Sequence, residues 1–320
     1  MIKSLLDNDL YKFTMMQWVF YYAPRTFAHY SFMVRKSSVD IAKLGDLLKQ
    51  YLRELSELEL QAAEKKYLSQ LPYFKDTYLD YLERFKFNSD YVFIDQEKHT
   101  IDIKGPWLET ILFEVPLLAI VNQAYYEANL EHMETREGQR RLNKNIQLIL
   151  DHPLKDSFKL VEFGTRRRFS MQWQKYVIEQ LHHYLPEQLL GTSNVYLAKL
   201  LDLEPIGTMA HEYLQAHQVL APKLSKFQVY AFEQWLNLYP GSDSTALTDV
   251  INTKQFCYDF NETLSKEYAG VRQDSGDPIT WSKRMLRHYQ NLKIDARKKT
   301  FVYSDGLDIK KSLDILSFIH

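Results

Sequence analysis

The sequence contains 320 residues, which is enough for about two domains with a sizeable core. Lys and Arg number 40 against 41 Asp and Glu, and the net charge of −1 excludes bulk, non-specific nucleic-acid binding, because such binding needs excess positive charge. Cys257 is the only cysteine, so an intrachain disulfide and a multi-cysteine metal site are excluded, and a cytoplasmic location is expected.

The N-terminal segment predicts a helix and no signal peptide. Asp7 and Asp9 interrupt its apolar residues, which spoils the hydrophobic region that a signal peptide needs. Residues 7–20 have apolar side chains at helical spacing, with Asp7 as a candidate N-cap. No uninterrupted apolar run approaches the ~20 residues of a membrane span, so we expect no membrane association.

The rest of the first third is predicted to mix strands and helices. Residues 26–35 alternate aromatic with small or polar side chains, as a strand does, and residues 41–55 carry one apolar stripe of a long helix. Residues 91–103 predict a hairpin that turns near 96–98. The strongly apolar run at 108–126 predicts a buried strand followed by a helix.

From Lys159 onwards the pattern predicts strands that alternate with helices. Helical patterns at 172–185 and 279–292 follow short apolar runs that end in small or charged residues. Repetition of strand then helix indicates parallel βα units and an α/β fold, in which ligand-binding residues lie at the carboxyl ends of the strands. The predicted strands are KLVEFG, NVYLAKLL, EPIGTM, ALTDVI, YAGVRQDSGD and TFVYSDGLD.

The segment PIGTMAHEYLQAHQ (205–218) places Gly207 and Thr208 just before a predicted helix that carries His211. Backbone N–H groups at a helix N-terminus are unpaired and attract anions, and a histidine beside them can act as a base or as a nucleophile towards phosphorus. His211 and His217 are six residues apart and would point to different helix faces, unlike the pair of a zinc protease. We therefore interpret the segment as a phosphate site.

A second candidate anion site follows the predicted strand at 159–164, where Gly164 and Thr165 precede three consecutive arginines at 166–168. Three consecutive arginine side chains cannot all point in one direction, so at least one should point into the cleft at the carboxyl ends of the strands. There its planar guanidinium can form paired hydrogen bonds with a phosphate or a carboxylate. A basic turn on the surface would explain the run as well.

Acidic residues follow several of the predicted strands. Asp249 follows ALT, Arg272 and Asp274 lie in RQDSGDP, and Asp305 lies in SDGLD. Carboxylates at successive strand ends can bind Mg²⁺ or accept hydrogen bonds from ribose hydroxyls. Each motif alone could be a turn or an N-cap, but together with the arginines they predict a site for a phosphorylated sugar.

Eight motifs, in this order along essentially the whole chain, resemble those of the nicotinate phosphoribosyltransferase family. They are LLDNDLYKFTMMQ, GPWLETILFEVPLLAI, EFGTRRRFS, GTSNVYLA, PIGTMAHEYLQAHQ, ALTDV, VRQDSGDP and SDGLD. The resemblance implies an irregular α/β barrel of the type II phosphoribosyltransferase kind at 126–320 and an α+β N-terminal domain at 1–125. It also implies an enzyme that converts nicotinate and 5-phosphoribosyl 1-pyrophosphate to nicotinate mononucleotide and pyrophosphate, coupled to ATP hydrolysis, in the salvage of nicotinate into NAD.

The same resemblance assigns the nicotinate-binding residues. It implies a homodimer with shared active sites, in which an exposed Tyr11 of one subunit stacks on the nicotinate ring against Phe163 of the other. Arg166 is expected on the nicotinate carboxylate or an adjacent phosphate. Ser193 stands where amide-using relatives carry an acid, and the lack of that acid removes charge repulsion and favours a carboxylate substrate. The resemblance further assigns Gly164 and Thr165 to substrate binding.

The phosphate-side residues are carried over in the same way. His211 matches the histidine that ATP phosphorylates, and with Asp249 and Asp274 it is expected to be catalytic. Asp249, Asp274 and Asp305 match acids that hold phosphoribosyl pyrophosphate and its Mg²⁺. The resemblance also assigns Arg272 and Gly306 to substrate binding.

One departure from the family leaves alternatives open. The family continues past the DGL motif with a glycine-rich phosphate loop, whereas this sequence stops at His320, so we expect a fragment or a lost C-terminus. The alternatives are a nicotinamide or quinolinate phosphoribosyltransferase and a binding protein that kept the fold without catalysis. An RNA-binding role for the arginines at 166–168 is disfavoured by the near-neutral charge.

Overall fold

The computed structural model describes residues 2–32, 41–95, 100–129, 135–241 and 244–320. The chain forms two compact units, which we call unit 1 (residues 1–147 and 159–207) and unit 2 (residues 148–158 and 208–320). This division into units differs from the single domain boundary, between residues 125 and 126, that the family resemblance implies. The predicted domain boundary therefore stays a prediction.

Unit 1 contains nine helices and five strands among its described residues. The helices are α1 (Leu10–Tyr22), α2 (Ile41–Ser56), α3 (Ala62–Ser69), α4 (Asp76–Arg84), α5 (Trp107–Thr110), α6 (Glu114–Asn129), α7 (Thr135–Leu150), α8 (Met171–Tyr184) and α9 (Val195–Leu201). The strands are β1 (Phe27–Phe32), β2 (Val92–Asp95), β3 (Thr100–Pro106), β4 (Leu160–Glu162) and β5 (Leu189–Thr192).

Strands β1, β3 and β2 form an antiparallel sheet in that order. The predicted strand after residue 26 and the predicted hairpin are confirmed, and the hairpin turn at 96–98 lies outside the described residues. In α2 the stripe of Leu44, Leu48, Leu52 and Leu55 is buried, whereas Arg53 is exposed, so the predicted amphipathic helix is also confirmed.

Helix α1 is buried on every side from Leu10 to Val19, so its burial extends well beyond one apolar stripe. The prediction that Asp7 caps this helix is wrong, because α1 begins three residues later and Asp9 occupies the N-cap position. Instead, both carboxylate oxygens of Asp7 accept hydrogen bonds from the guanidinium of Arg168, each at 2.7 Å. Asn194 Nδ2 donates to the same carboxylate at 2.7 Å, which adds a third bond.

The predicted strand within 108–126 is wrong, because α5 and α6 take up this run. The stretch Trp107–Glu127, which includes charged residues, is also long and apolar enough by length and composition to cross a membrane, and the expected lack of membrane association stays a prediction. Of its most apolar window, 78% is buried inside the protein. That burial accounts for its apolar composition, as in the core helix of a globular protein.

Strands β4 and β5 pair in parallel through the crossover helix α8, as the βα pattern predicts. Ile178 of α8, Leu189 of β5 and Leu197 of α9 pack together as a buried cluster. The predicted strand NVYLAKLL is wrong, because residues 195–201 form α9, whose N-cap Asn194 accepts a hydrogen bond from Leu197 N at 2.9 Å.

Unit 2 contains a three-stranded parallel sheet in the order β6, β7, β8, with helices between and around the strands. The parallel βα units predicted from ALTDVI, YAGVRQDSGD and TFVYSDGLD are therefore confirmed. The predicted strand EPIGTM is wrong, because this segment forms only an isolated bridge, between Pro205 and Thr192. The strands are β6 (Thr245–Leu247), β7 (Gly270–Gln273) and β8 (Thr300–Tyr303). The helices are α10 (His211–Leu220), α11 (Phe227–Leu238), α12 (Thr253–Asp259), α13 (Glu262–Glu267), α14 (Pro278–Asn291) and α15 (Ile309–Ile319).

The buried pair of Asp7 and Arg168 predicts a large effect of its removal on stability. Asp7→Asn leaves a buried guanidinium without its counter-charge and should lower the free energy of unfolding by about 3 to 5 kcal/mol, measured by urea denaturation. Lys86→Gln, which breaks an exposed ion pair with Glu59, is the control and should leave the denaturation midpoint almost unchanged. Equal midpoints for the two variants would contradict this prediction.

Candidate active site

The N-terminus of α1 is fixed in unit 1 by backbone bonds to the segment that follows β5. Leu10 N donates to Ser193 O at 2.8 Å, and Val195 N donates to Asn8 O at 3.0 Å. Because these bonds fix the first turn of α1, they also fix the positions of Tyr11 and Lys12, which come next along the helix.

Arg166 belongs to a cluster of alternating charges in unit 1. Its Nη1 donates to Glu114 Oε1 at 2.9 Å, and the other oxygen of Glu114 forms an ion pair with Lys12. The Lys12 side chain is 0% exposed, whereas that of Arg166 is 44% exposed. Burial by itself raises the pKa of Glu114, but the charges of Lys12 and Arg166 outweigh it and lower this pKa to about 2. The carboxylate of Glu114 therefore stays ionised at neutral pH and links two cations.

Tyr11 and Phe163 differ in their exposure. The expectation that α1 exposes Tyr11 is wrong, because its side chain is buried, and burial raises its pKa so that the phenol keeps its proton. Phe163, directly after β4, is exposed. Stacking of nicotinate between the two rings stays a prediction.

The remaining predicted residues of unit 1 lie in a buried polar network. Ser193 Oγ donates to Asp9 Oδ1 at 2.7 Å, and burial raises the pKa of Asp9. Thr165 Oγ1 accepts a hydrogen bond from Gln174 Nε2 at 3.1 Å. Gly164 N donates to Glu162 Oε1 at 2.6 Å. These bonds fix the shape of the loop that carries Arg166.

Sequence reasoning missed four charged residues of unit 1. They are Asp9, Lys12, Glu114 and Glu162. A signal existed only for Glu114, because a carboxylate within the apolar run at 108–126 must find a cation when the run is buried. The other three could not be distinguished from surface charges before the fold was known.

In unit 2, His211 is the first residue of α10 and lies between two carboxylates. Its Nε2 is 3.0 Å from Asp249 Oδ1, and its Nδ1 is 3.6 Å from Asp274 Oδ2. Asp249 follows β6 and Asp274 follows β7, so the parallel sheet brings both to one edge. Burial by itself raises the pKa of Asp249, but hydrogen bonds from His211 and Ser275 outweigh it and lower this pKa.

Arg272 connects the ends of β7 and β8 to the segment before α10. Its Nε donates to Ser304 Oγ at 2.8 Å, its Nη1 donates to Thr208 Oγ1 at 2.8 Å, and its Nη2 lies 3.0 Å from Asp274 Oδ1. The Arg272 side chain is only 18% exposed. Protein groups thus engage all three nitrogens of the guanidinium. A direct contact of Arg272 with substrate stays a prediction.

The motifs RQDSGDP and SDGLD contain acidic residues of two kinds, which are helix caps and candidate ligands. Asp277 and Asp308 are N-caps, which accept hydrogen bonds from Thr280 N at 2.7 Å and Lys311 N at 2.8 Å. Asp305 lies on the exposed loop after β8. Gly306 in the same loop has a φ of +56°, which favours glycine.

The predicted metal ligands are Asp274 and Asp305. In the described ranges, no group of three or more His, Cys, Asp or Glu side chains is arranged to hold a metal ion. Two carboxylates at neighbouring strand ends nevertheless fit Mg²⁺, which takes one or two carboxylates and completes its shell with substrate phosphates and water. Magnesium binding by Asp274 and Asp305 therefore stays a prediction.

Several known proteins similar to this chain are nicotinate phosphoribosyltransferases. A model of the nicotinate phosphoribosyltransferase (NAPRTase) family matches residues 158–320, and a model of its N-terminal domain matches residues 6–122. The nicotinate phosphoribosyltransferase of Burkholderia mallei is 42% identical over 98% of this chain and 80% of its own length. That of Cupriavidus necator is 42% identical over 100% of this chain and 82% of its own length.

Solved structures agree with the sequence comparison. The nicotinate phosphoribosyltransferase of Vibrio cholerae is 36% identical with a TM-score of 0.95, covering 99% of this chain and 76% of that protein. The Porphyromonas gingivalis enzyme is 31% identical with a TM-score of 0.92, covering 99% and 82% respectively. The predicted fold class, α/β with an α+β N-terminal domain, is confirmed by these likenesses.

The low pKa of Glu114 predicts how pH affects stability. Because this pKa is about 2 in the folded protein and near 4.5 when unfolded, the unfolded chain binds more protons between these values. The contribution, at most about 3 kcal/mol, is present above pH 5 and is lost as pH falls towards 2. Urea denaturation at pH 7 and pH 3 should show the stability gap between wild type and Glu114→Gln shrinking at pH 3. A gap that is equal at both pH values contradicts the prediction.

Proposed function

The chain belongs to the nicotinate phosphoribosyltransferase family, and we propose that it transfers the phosphoribosyl group of 5-phosphoribosyl 1-pyrophosphate to nicotinate with the help of ATP. The products are nicotinate mononucleotide and pyrophosphate, in the salvage of nicotinate into NAD. The observation that carries the detailed proposal is His211, which lies at a helix N-terminus between carboxylates of two adjacent strand ends.

Arg166 binds the carboxylate of nicotinate in this proposal. Its guanidinium has five N–H donors in a planar fork, and the described bond to Glu114 uses one nitrogen and leaves the side chain half-exposed. Lys12 and Arg166 carry two positive charges against the one negative charge of Glu114, and burial raises the pKa of the nearby Asp9. The cluster thus has a net positive charge, which favours the nicotinate anion over neutral nicotinamide.

In the transfer step, the pyridine nitrogen of nicotinate attacks C1 of the ribose while the bond from C1 to the pyrophosphate oxygen breaks. The positive charge that develops on the ribose as this bond breaks is stabilised by nearby carboxylates, for which Asp249 and Asp274 are the candidates. Asp274 and Asp305 would hold Mg²⁺, which would supply positive charge to offset the negative charge of the leaving pyrophosphate. Holding the two substrates in line supplies much of the remaining rate enhancement.

ATP is coupled to the reaction through phosphorylation of His211. In the proposed tautomer, His211 carries its proton on Nε2 and donates it in a hydrogen bond to Asp249, which leaves the lone pair on Nδ1. Nδ1 then forms a bond with the γ-phosphorus of ATP as the bond from that phosphorus to the ADP oxygen breaks. Water later hydrolyses the phosphohistidine to release phosphate. The phosphorylated state is expected to bind phosphoribosyl pyrophosphate more tightly.

The nicotinate site predicts the effect of Arg166→Gln. Wild type should turn over nicotinate with a higher kcat/KM than nicotinamide or quinolinate. Loss of a charge-assisted bond to the carboxylate should raise the KM for nicotinate about 10- to 100-fold in Arg166→Gln. Steady-state kinetics with each pyridine measures both effects, and Arg167→Gln, a substitution of the exposed neighbour, is the matched control. A preference of wild type for nicotinamide rejects the proposed substrate.

The coupling to ATP predicts the behaviour of His211→Ala. This variant should lose stimulation by ATP but keep slow transfer, because the transfer chemistry itself needs no imidazole. Product formation with and without ATP measures the stimulation, and acid-labile ³²P on the protein reports the phosphohistidine. His183→Ala, on the surface of α8, should keep both signals. Full ATP stimulation in His211→Ala would reject the mechanism.

A further inference from the structure

Helix α6 holds Arg166 at two separate points. Glu114, at the first residue of the helix, accepts from Nη1 of Arg166 at 2.9 Å. Asn122, about two helical turns further on, donates through Nδ2 to the backbone oxygen of Arg166 at 2.6 Å. One helix therefore fixes both the side chain and the backbone of this residue.

The local structure around Arg166 does little to restrict the conformation of its side chain. It lies in a single 3₁₀ turn, Thr165–Arg167, and its side chain is 44% exposed. A long exposed arginine populates many rotamers, and binding a carboxylate would have to select one of them. A guanidinium that is already held in one orientation binds a planar carboxylate with less loss of entropy.

Glu114 is held in turn by Lys12, whose side chain is 0% exposed. The buried ammonium contacts one carboxylate oxygen of Glu114 and directs the other towards Arg166. Lys12 Nζ also lies 5.8 Å from the ring centres of Tyr11 and Tyr30. The order of contacts is thus a buried cation, a shared carboxylate and a half-exposed cation.

We propose that Glu114, assisted by Asn122, is the positioning residue of Arg166 and thereby sets the preference of the site for a carboxylate over an amide. This inference rests on the proposed function, because it assigns Arg166 to the carboxylate of nicotinate. Neither Glu114 nor Asn122 touches substrate in this scheme. Both act through the orientation of Arg166.

Removal of the negative charge of Glu114 has two opposed electrostatic effects. It makes the surroundings of Arg166 more positive, which by itself would strengthen binding of an anion. It also takes one carboxylate from Lys12, and loss of a neighbouring anion lowers the pKa of a buried lysine. The second electrostatic effect offsets the first. The loss of the fixed orientation of the Arg166 guanidinium therefore decides the outcome, and nicotinate binds more weakly.

The test compares Glu114→Gln, Asn122→Ala and wild type in steady-state kinetics. The KM for nicotinate should rise about tenfold, and kcat and the KM for phosphoribosyl pyrophosphate should change less than about twofold. The nicotinate carboxylate keeps its charge during the transfer, so its contact with Arg166 is equal in ground and transition states. The ratio of kcat/KM for nicotinate over nicotinamide should fall by the same factor. Asn122→Ala supplies the test if Glu114→Gln fails to fold.

A control and a double-mutant cycle separate positioning from a merely structural role. Glu127→Gln makes the same substitution on α6 at a residue that accepts from Tyr51 Oη at 2.6 Å, and it should leave the KM for nicotinate unchanged. In an Arg166→Gln background, Glu114→Gln should have no further effect on kcat/KM.

The inference is overturned if Glu114→Gln raises the KM equally in that background, or if kcat and both KM values change together. An unchanged or lowered KM for nicotinate in both single variants overturns it as well. If wild type itself does not turn over nicotinate, the proposed function fails instead.

Discussion

Asp7 and Arg168 form the ion pair on which the arrangement of unit 1 depends, with side chains 0% and 2% exposed. Charges so deeply buried must be paired and hydrogen-bonded, because desolvation would otherwise make them very costly. The pair joins the segment before α1 to the loop after β4, and Asn194 joins the loop after β5 to the same carboxylate. Three segments distant in sequence are thereby fixed in one polar network.

Arg166 is only two residues from Arg168, yet the two arginines have different surroundings. Both terminal nitrogens of Arg168 donate to Asp7 within the network, whereas Arg166 is held from one side by Glu114 and remains half-exposed. Burial of the first arginine thus fixes the backbone from which the second extends. The run of three arginines combines a structural residue, a candidate ligand and an exposed neighbour.

In unit 2 the parallel sheet fixes the positions of the candidate site residues, as the buried ion pair does in unit 1. Pairing of β6 with β7 and of β7 with β8 places the residues that follow each strand at one edge. Arg272 then connects Ser304, Asp274 and Thr208, so a partly buried cation balances the acids around His211. The imidazole consequently has a carboxylate near each ring nitrogen, which is an arrangement suited to controlling which nitrogen carries the proton.

The sequence by itself determined the α/β class, the parallel βα units, the helix beginning at His211 and the family, because these depend on local periodicity and on motifs. It also pointed to His211, Asp249 and Asp274, since strand ends in a parallel sheet meet at one edge. Only the tertiary structure decided the role of Asp7, the burial of Tyr11 and the partner of Arg166. Those features arise from contacts between residues as much as 187 positions apart, as between Asn194 and Asp7, and no local pattern encodes which buried charge meets which.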